Sequence, residues 1–346
     1  MSQKQSMASI EKRVTVGDVA RLAGVSVGSV SRVLTGKNWV SPEMRKLVQD
    51  AAQQLNYVPN SVAQSLKSQR SMTIGALVSD VANPLHGTFL SAAEERLQAA
   101  GYMLLVASSH NRVAREIELL KMFAQGRVDG LLLAHTDETN AEIKELLASL
   151  PIPVVFHDRE PYGLGDAVQT DHWQGAYAAT RYLLEMGHRR IALLTPGVEI
   201  RPGRVRVSGF EQAIAEAQVS GVMPVIRTLD ASSVHAQDET LQLMHSANPP
   251  TAIISLGTRM LAGVLTALQS GPWRIPHDVS IIGVGDTELV QLSTPSITAV
   301  RWDIAKSGAQ AADLLLQRLQ SQQLREDLQV LSQAPELGSP RFQCNK

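Results

Sequence analysis

Apolar runs of strand length alternate with amphipathic helical segments over most of this 346-residue chain, from Thr73 onward. The candidate strands, in chain order, are TIGALVSD, YMLLVASS, VDGLLLAH, PVVFHD, RIALLTP, VIRTL, AIISLG, VSIIGVGD and ITAVRW. The helical segments lie near residues 86–100, 112–125, 139–149, 172–186, 204–219, 232–247, 258–270 and 304–320. Such alternation is typical of parallel sheets that helices cover on both faces. Because one sheet rarely holds this many strands, we predict an α/β body of two lobes.

The first 70 residues differ from this body in charge. They carry a net charge of +6 and the remainder carries −7, so the overall charge of −1 conceals the asymmetry. A basic segment attached to an acidic body indicates a polyanionic partner for that segment, although basic tails are common.

The expected compartment is the cytoplasm. The single cysteine, Cys344, excludes an intrachain disulfide and fits a reducing environment. The first residues, MSQKQSMASIEKRV, lack the apolar core of a signal peptide. No apolar run approaches the roughly 20 residues that a membrane helix needs, so we expect no membrane contact.

The sequence VTVGDVARLAGVSVGSVSRVL predicts two short helices joined by a tight turn at Gly24. Thr15 caps the first helix, with Asp18 three residues later to receive backbone donors. Gly24 supplies the left-handed turn, and Ser26 caps the second helix. A third helix begins at Ser41, with proline in its first turn, and runs to about residue 56. This arrangement is typical of a helix-turn-helix unit, whose second helix enters the major groove of DNA.

Small or basic side chains occupy the predicted outer face of the second helix, namely Val27, Gly28, Ser29, Ser31 and Arg32. A generic three-helix bundle also fits the helix pattern. A face of this kind, however, suits close contact with DNA. Gly28 costs a helix about 1 kcal/mol relative to alanine, and close backbone approach would explain it. Arg32 can bind a guanine bidentately or hold a phosphate.

Residues 14–66 closely resemble the DNA-binding head of the lactose/galactose repressor family. The motifs are VTVGDVARLAGVS, VSRVL, VSPEMRKLVQDAAQQLNYVPN and SVAQSL. The similarity continues through IGALVSDVANPL, VDGLLLA, IPVVFHDRE, MGHRRIALLTP, PPTAII and VSIIGVGD, and so covers nearly the whole chain. It implies a ligand-responsive, homodimeric transcriptional regulator that represses from a pseudo-palindromic operator. The implied fold is a helix-turn-helix head, a hinge helix and a two-lobed body resembling periplasmic sugar-binding proteins.

The hinge segment places Leu66 among polar and basic residues. Asn60 is a good N-cap, and Val62, Ala63 and Leu66 share one helical stripe. A helix this short is not stable alone in water. The resemblance implies that two hinge helices pack together on the operator, where Leu66 wedges into the minor groove. The alternative is that Leu66 docks on its own domain. The predicted DNA contacts are the outer face of the second helix together with Thr15, Ser26, Asn60, Ala63 and Leu66.

The predicted domain boundaries follow from the resemblance and the composition. They are 1–13 for a disordered N-terminal extension, 14–59 for the head, 60–71 for the hinge helix and linker, 72–331 for the effector-binding and dimerisation body, and 332–346 for a C-terminal tail. The chain is expected to cross between the lobes near residues 171, 301 and 325. The tail has no heptad pattern, so nothing favours a coiled coil that would form tetramers.

Ligands of open α/β sheets bind beyond the carboxyl ends of the strands. The candidate effector residues at such positions are Ser79, Asp158, Asp171, Thr258, Arg259, Asp286 and Trp302. Arg206 joins them because RPGRVRVSGF resembles the family segment whose arginine grips the effector. Alternatively, Asp158 and Asp171 cap helices, and Trp302 belongs to the core.

The resemblance also bears on the chemistry of the effector. Family members that sense neutral sugars generally place Asn-Asp in the segment aligned with Gly257 and Thr258, and another Asp where Gly285 stands. Those acceptors are missing here, whereas Arg206 and Arg259 are present. Guanidinium groups bind carboxylates bidentately. We predict an organic or sugar acid as the effector, with a neutral sugar, a nucleoside or no effector as alternatives.

Enzyme signatures are weak in this sequence. No GxGxxG follows the first strand, and no P-loop occurs. His86, His157 and His172 show no metal-ligand spacing with a cysteine or a second carboxylate. We therefore predict a protein that is not an enzyme and that needs no metal or cofactor.

Overall fold

The computed structural model describes residues 14–34, 40–57, 70–125, 127–321 and 323–338. The chain divides into two compact units, a head of residues 1–71 and a body of residues 72–346. The predicted hinge contacts Asn60, Ala63 and Leu66 lie outside the described residues, as does Cys344.

The described part of the head contains the three predicted helices. They are α1 (Val16–Ala23), α2 (Val27–Leu34) and α3 (Pro42–Gln54). At the start of α1, the backbone N–H of Asp18 donates to Oγ1 of Thr15, and the N–H of Thr15 donates to the Asp18 carboxylate at 3.0 Å. Gly24 ends this helix with φ of 66°, a region that favours glycine. Local capping chemistry thus sets both ends of α1.

One small core holds the three helices of the head together. Val19 of α1, Val30 of α2 and Val48 of α3 have no exposed surface and belong to the same apolar cluster. Burying a valine side chain contributes about 1.5 kcal/mol. Because Val30 and Val33 face this core, the opposite side of α2 faces outward.

The described residues of the body form two six-stranded sheets. Its strands are β1 (Thr73–Val78), β2 (Met103–Ser108), β3 (Gly130–Ala134), β4 (Val154–His157), β5 (Asp166–Thr170), β6 (Arg190–Pro196), β7 (Met223–Leu229), β8 (Ala252–Ser255), β9 (Ser280–Val284), β10 (Thr298–Arg301), β11 (Val330–Gln333) and β12 (Glu336–Gly338). Its helices are α4 (Pro84–Ala99), α5 (Val113–Ala124), α6 (Ala141–Ser149), α7 (His172–Glu185), α8 (Arg201–Glu216), α9 (Ser233–Met244), α10 (Thr258–Gln269), α11 (Glu288–Leu292) and α12 (Ile304–Ser321). No helix among the described residues is long and apolar enough to cross a membrane.

Each sheet forms the centre of one lobe. The first sheet has the strand order β11-β5-β4-β3-β1-β2, and all its neighbours are parallel. The second has the order β12-β10-β9-β8-β6-β7, parallel except for β12 against β10. The inner strands β3 and β8 are buried along their whole length, as expected when helices cover both faces. All the candidate strands are present.

Between residues 70 and 338, the described chain passes between the lobes three times. It leaves the first sheet after Thr170 and leaves the second after Arg301. The third passage lies between Gln333 and Glu336, because β11 pairs with β5 and β12 pairs with β10. The predicted crossing near 325 is therefore wrong, and so is the start of a tail at 332. Strands β5, β11 and β12 and helix α11 were not predicted.

Candidate DNA-binding helix and effector cavity

The outer face of α2 presents Val27 and Arg32, both exposed. Oγ of Ser26 accepts from the backbone N–H of Ser29 at 3.1 Å and so begins the helix. A Cβ at Gly28 would lie 3.7 Å from Oγ of Ser26, an ordinary contact distance. Packing within the described head therefore does not require glycine at this position. Nε of Arg32 donates to the carbonyl of Gly28 at 3.2 Å, which lays the guanidinium along the exposed face.

Ser29 does not belong to this outer face, contrary to the prediction. Its side chain is buried, and its Oγ lies 3.0 Å from Oγ of Ser26. Ser29 stands one turn before Val33, a residue of the core face. Its hydroxyl therefore supports the helix start. Ser31 is half-buried, and Thr15 is exposed at the start of α1 with its oxygen engaged by Asp18.

A cavity of about 200 Å³ lies between the two lobes, where the carboxyl ends of the parallel strands meet. The predicted effector residues that line it are Ser79, Asp158, Arg206, Thr258, Arg259 and Trp302. Ser79 directly follows β1 in the first lobe, and Thr258 begins α10 in the second. Oγ1 of Thr258 donates to Oδ1 of Asn83 at 2.8 Å and so links the lobes beside the cavity.

Asp171 and Asp286 do not line the cavity, which corrects the prediction for both. Asp171 is the N-cap of α7, where its Oδ1 accepts from the backbone N–H of Gln174 at 2.9 Å. Asp286 is half exposed and lies in a wider groove outside the cavity, with its Oδ1 3.6 Å from Nε of Arg301.

Arg206 is buried in the cavity wall. Its Nη1 donates to the carbonyl of Leu256 at 2.6 Å, and its Nη2 lies 3.1 Å from Nδ1 of His172. A guanidinium can only donate, so Nδ1 of His172 accepts and the neutral ring carries its proton on Nε2. Burial lowers the pKa of Arg206 to about 10, which leaves it charged at neutral pH. No carboxylate among the described residues lies within ion-pair distance of it.

His172 connects Arg206 to Asp158 across the lobes. Its Nε2 lies 3.2 Å from Oδ2 of Asp158, and burial, reinforced by Arg206, lowers the pKa of His172 to about 4. Burial opposes a charge on Asp158. The pKa of this carboxyl nevertheless lies well below its usual range, because the imidazole of His172 and the N–H of Thr170 stabilise its charged form. The N–H of Thr170 donates to Oδ1 at 2.7 Å. Asp158 is therefore an ionised acceptor in the cavity wall.

Arg159 is a cavity residue that was not predicted. Its Nε donates to the carbonyl of His135 at 2.5 Å and its Nη1 to the carbonyl of Asp158 at 2.9 Å. Burial lowers the pKa of the Arg159 guanidinium. The sequence signal was its place directly after Asp158 at the carboxyl end of β4.

Three buried nitrogen atoms of the cavity lining make no well-aligned hydrogen bond among the described residues: Nδ1 of His157, Nε1 of Trp302 and Nε2 of His172, of which the last faces Asp158 at 3.2 Å. The His157 ring stacks on Phe89 with centroids 3.9 Å apart, and Trp302 meets His172 edge-on at 5.2 Å. Burial lowers the pKa of both His157 and His86 to about 4. These rings are therefore uncharged at neutral pH.

Two short ion pairs join the lobes near the cavity, in addition to a longer one between Nε of Arg201 and Oε2 of Glu160 at 3.9 Å. Nη1 of Arg259 donates to Oδ2 of Asp80 at 2.5 Å, and Nη2 of Arg204 donates to Oε2 of the buried Glu138 at 2.5 Å. Because a carboxylate already pairs with each, Arg259 and Arg204 are weaker candidates than Arg206 for an anion. In the described part of the chain, no group of three or more His, Cys, Asp or Glu side chains is placed to hold a metal ion.

Comparison with known proteins identifies the family of the chain. Residues 15–60 match the model of bacterial regulatory proteins of the lacI family, and residues 180–337 match the periplasmic binding protein-like domain. The HTH-type transcriptional repressor PurR of Edwardsiella ictaluri is 32% identical over 329 residues, which cover 94% of this chain and 96% of that protein. The ribose operon repressor of Escherichia coli K12 is 33% identical over 328 residues, covering 94% and 99%. The chain belongs to the lacI family of bacterial regulatory proteins.

A solved structure extends this lacI-family likeness to the fold. The lac repressor dimer bound to operator and the anti-inducer ONPF is 27% identical, with a TM-score of 0.80 over 95% of this chain and 98% of that chain. The predicted family and the predicted α/β architecture of a helix-turn-helix head with a two-lobed body are confirmed. Both relatives are transcriptional repressors, which confirms the predicted class of protein, a DNA-binding transcriptional regulator.

Proposed function

We propose that this protein is a cytoplasmic homodimer that represses transcription from a pseudo-palindromic operator. A carboxylate effector, bound in the interlobe cavity, alters its affinity for DNA. The observation that carries the effector class is the Arg206 guanidinium, which is buried and charged and whose direct hydrogen-bond partners, the Leu256 carbonyl and the His172 ring, are neutral.

The exposed face of α2 supports operator binding. The exposed surface of this helix has short side chains at Val27 and Gly28 and one guanidinium, that of Arg32. Such a surface can enter the major groove of DNA. A dimer of such heads binds two half-sites with matching symmetry. The lac repressor dimer bound to operator, which has the same fold, supports this mode.

The edge strand β2 supports the homodimer. It lies at one edge of the first sheet, where Met103, Leu105 and Val106 are 70%, 42% and 42% exposed. An exposed apolar edge strand favours aggregation of a monomer, because its free backbone groups can pair with strands of other chains. A second copy of this chain would cover the strand.

Electrostatics in the cavity supports an acid effector. Buried charges in proteins are normally paired, and Arg206 has no carboxylate partner in the described body. A ligand carboxylate would accept two parallel hydrogen bonds from it. The ionised Asp158 would accept from a hydroxyl group of the same ligand, which favours a hydroxylated acid such as a sugar acid.

The two glycines that replace the acceptors of sugar-sensing members support the same class. A Cβ at Gly285 would lie 2.8 Å from Cδ2 of Leu85, and one at Gly257 would lie 2.8 Å from Sδ of Met260. An asparagine at Gly257 or an aspartate at Gly285 would therefore have to displace the flexible end of its apolar neighbour. The second candidate, a neutral sugar or nucleoside, is favoured by the likeness to a ribose operon repressor and by the acceptor Asp158.

Operator selection from random DNA, followed by footprinting with full-length protein, tests the regulatory role. We expect protection of two symmetric half-sites and a change in DNA affinity when a carboxylate effector is added. Arg206→Gln should bind the same operator but lose the response to the effector. Protection of one isolated half-site would contradict the dimer, and an Arg206→Gln protein that responds like wild type would contradict the effector site.

A further inference from the structure

We infer that residues 197–200, between β6 and α8, form a strap that closes the interlobe cavity before any effector binds, and that the ion pair of Glu138 with Arg204 holds this strap shut as a latch. The effector enters when the latch opens, so the pair sets how fast ligands exchange with the cavity. The inference rests on the proposed effector cavity but on no particular chemistry of the effector.

The strap is part of the cavity wall. Gly197, Glu199 and Ile200 line the cavity from the second lobe, and Thr136 lines it from the first. The strap also packs on the start of α8, because Gly203 in the first turn of this helix has no room for a Cβ against the carbonyl of Gly197. The strap and the start of α8 therefore form one packed unit, and a contact made by either restrains both.

Glu138 fastens this unit to the first lobe. Its backbone N–H donates to the carbonyl of Glu199 at 3.0 Å, and its Oε2 accepts from Nη2 of Arg204 at 2.5 Å. Nη1 of Arg204 donates to the carbonyl of Val198 at 3.2 Å. One guanidinium thus binds both the strap and the opposite lobe.

The burial of Glu138 favours the closed strap. Its side chain has no exposed surface, whereas that of Arg204 is 37% exposed. A buried carboxylate is normally paired with a cation. Within its own lobe, Glu138 accepts from the backbone N–H of Glu160 at 3.0 Å, and the charge of Arg159 acts on it from beyond ion-pair distance. Opening of the strap therefore removes the one cation that contacts this carboxylate in the described body.

The other contacts between the lobes are weaker or lie elsewhere. Nη1 of Arg201 donates to the carbonyl of Thr170 at 3.0 Å, and its Nε lies 3.9 Å from Oε2 of Glu160. A neutral acceptor and a distant carboxylate bind a guanidinium less tightly than a carboxylate in direct contact does. The pair of Arg259 with Asp80 joins the lobes through α10 and the loop after β1. Loss of the latch therefore frees the strap while this pair stays in place.

Hydrogen–deuterium exchange of the full-length, ligand-free protein tests the latch. Glu138→Gln cannot keep both contacts of the carboxylate. When its Oε1 accepts from Glu160, its amide N–H₂ faces the guanidinium of Arg204, which can only donate. We expect amide exchange in the strap, on the opposite lobe, to become about 10- to 100-fold faster, the value of a charge-assisted hydrogen bond.

A reciprocal variant and a matched control complete this test. Arg204→Gln should accelerate exchange of the Glu138 amide in the first lobe. Glu142→Gln removes an exposed carboxylate from a surface ion pair with Lys121 and should leave the strap unchanged. Unchanged exchange, or acceleration confined to the lobe that carries the substitution, would overturn the inference. If circular dichroism shows that Glu138→Gln is not folded, Arg204→Gln decides alone, because its site is partly exposed.

A thiol at Ser79, which lines the cavity from the first lobe, measures entry into the cavity. In full-length protein that carries Ser79→Cys and Cys344→Ser, the small neutral reagent methyl methanethiosulfonate should react about 10- to 100-fold faster once Glu138→Gln is added. Equal reaction rates would overturn the role of the strap as a gate. Neither measurement uses an effector, so their failure leaves the proposed acid effector standing, and an inert panel of acids leaves the latch standing.

Discussion

Asp158→Asn removes the charge that offsets the guanidinium groups of the cavity while keeping the shape of the side chain. Oδ1 of asparagine can still accept from the N–H of Thr170, which donates to Asp158 at 2.7 Å. The backbone φ of 50° at this position is also tolerated by asparagine. The substitution therefore leaves packing and backbone unchanged, removes the negative charge, and places an amide N–H where Oδ2 now faces the protonated Nε2 of His172.

The expected loss of stability follows from the burial of the network. Removing one partner of a buried ion pair costs about 3–5 kcal/mol. We expect the lower value, about 3 kcal/mol, because Asp158 reaches Arg206 through the neutral ring of His172. A change of 1 kcal/mol shifts Tm by about 2 °C in a domain of this size, so Tm should fall by about 6 °C.

Differential scanning calorimetry of the ligand-free protein at neutral pH measures this shift. Asp171→Asn is the matched control, since it makes the same chemical change at a helix N-cap, where asparagine and aspartate cap equally well. A Tm of Asp158→Asn within error of this control would refute the electrostatic network. The difference in Tm between wild type and Asp158→Asn should also shrink as the pH falls through the lowered pKa of Asp158. Protonation then removes from wild type the negative charge that stabilises its folded state.

Three further predictions concern the DNA-binding helix, the dimer and the dependence on pH. Arg32→Ala should cost about 1–3 kcal/mol of operator binding and relax preference at one base pair; uniform weakening on all sequences would mean a phosphate contact only. Val106→Lys on the exposed strand β2 should yield folded monomers in analytical ultracentrifugation, and an unchanged dimer would exclude this surface. As pH falls from 6.5 toward 4, the free energy of unfolding should drop by about 1.4 kcal/mol per pH unit for each of His86, His157 and His172. The unfolded chain binds protons that these buried rings, with pKa values of about 4, do not bind; a flat urea-denaturation profile over this range would contradict their burial.

Short-range chemistry made much of the fold predictable from the sequence. Thr15, Gly24 and Ser26 act on the helix ends beside them, so a few neighbouring residues determine their roles. The buried strands were visible as apolar runs, because helices cover both faces of each sheet. The rule that ligands bind beyond strand carboxyl ends then placed Asp158 and Trp302 beside one cavity.

Long-range pairing explains what was missed. β5 begins with Asp166, a charge typical of a loop, yet this side chain is 1% exposed because Arg318 pairs with it from 152 residues away. β12 has only three residues and owes its extended form to pairing with β10. Arg159 was missed for a similar reason, since a charged residue after a strand normally lies in solvent. Only the fold brings the carbonyl of His135 to its guanidinium.

A thermal-shift screen of full-length protein with matched pairs of acids and neutral analogues tests the central claim most directly. Each organic or sugar acid is compared with the alcohol, amide or sugar that has the same shape but no charge. At about 100 times its Kd, a ligand stabilises the folded state by about 2.7 kcal/mol, or about 5 °C in Tm for a body of this size. We expect that an acid gives this shift, that its neutral partner does not, and that Arg206→Gln loses it. Stabilisation by a neutral sugar, with the matched acids inert, would contradict an acid effector.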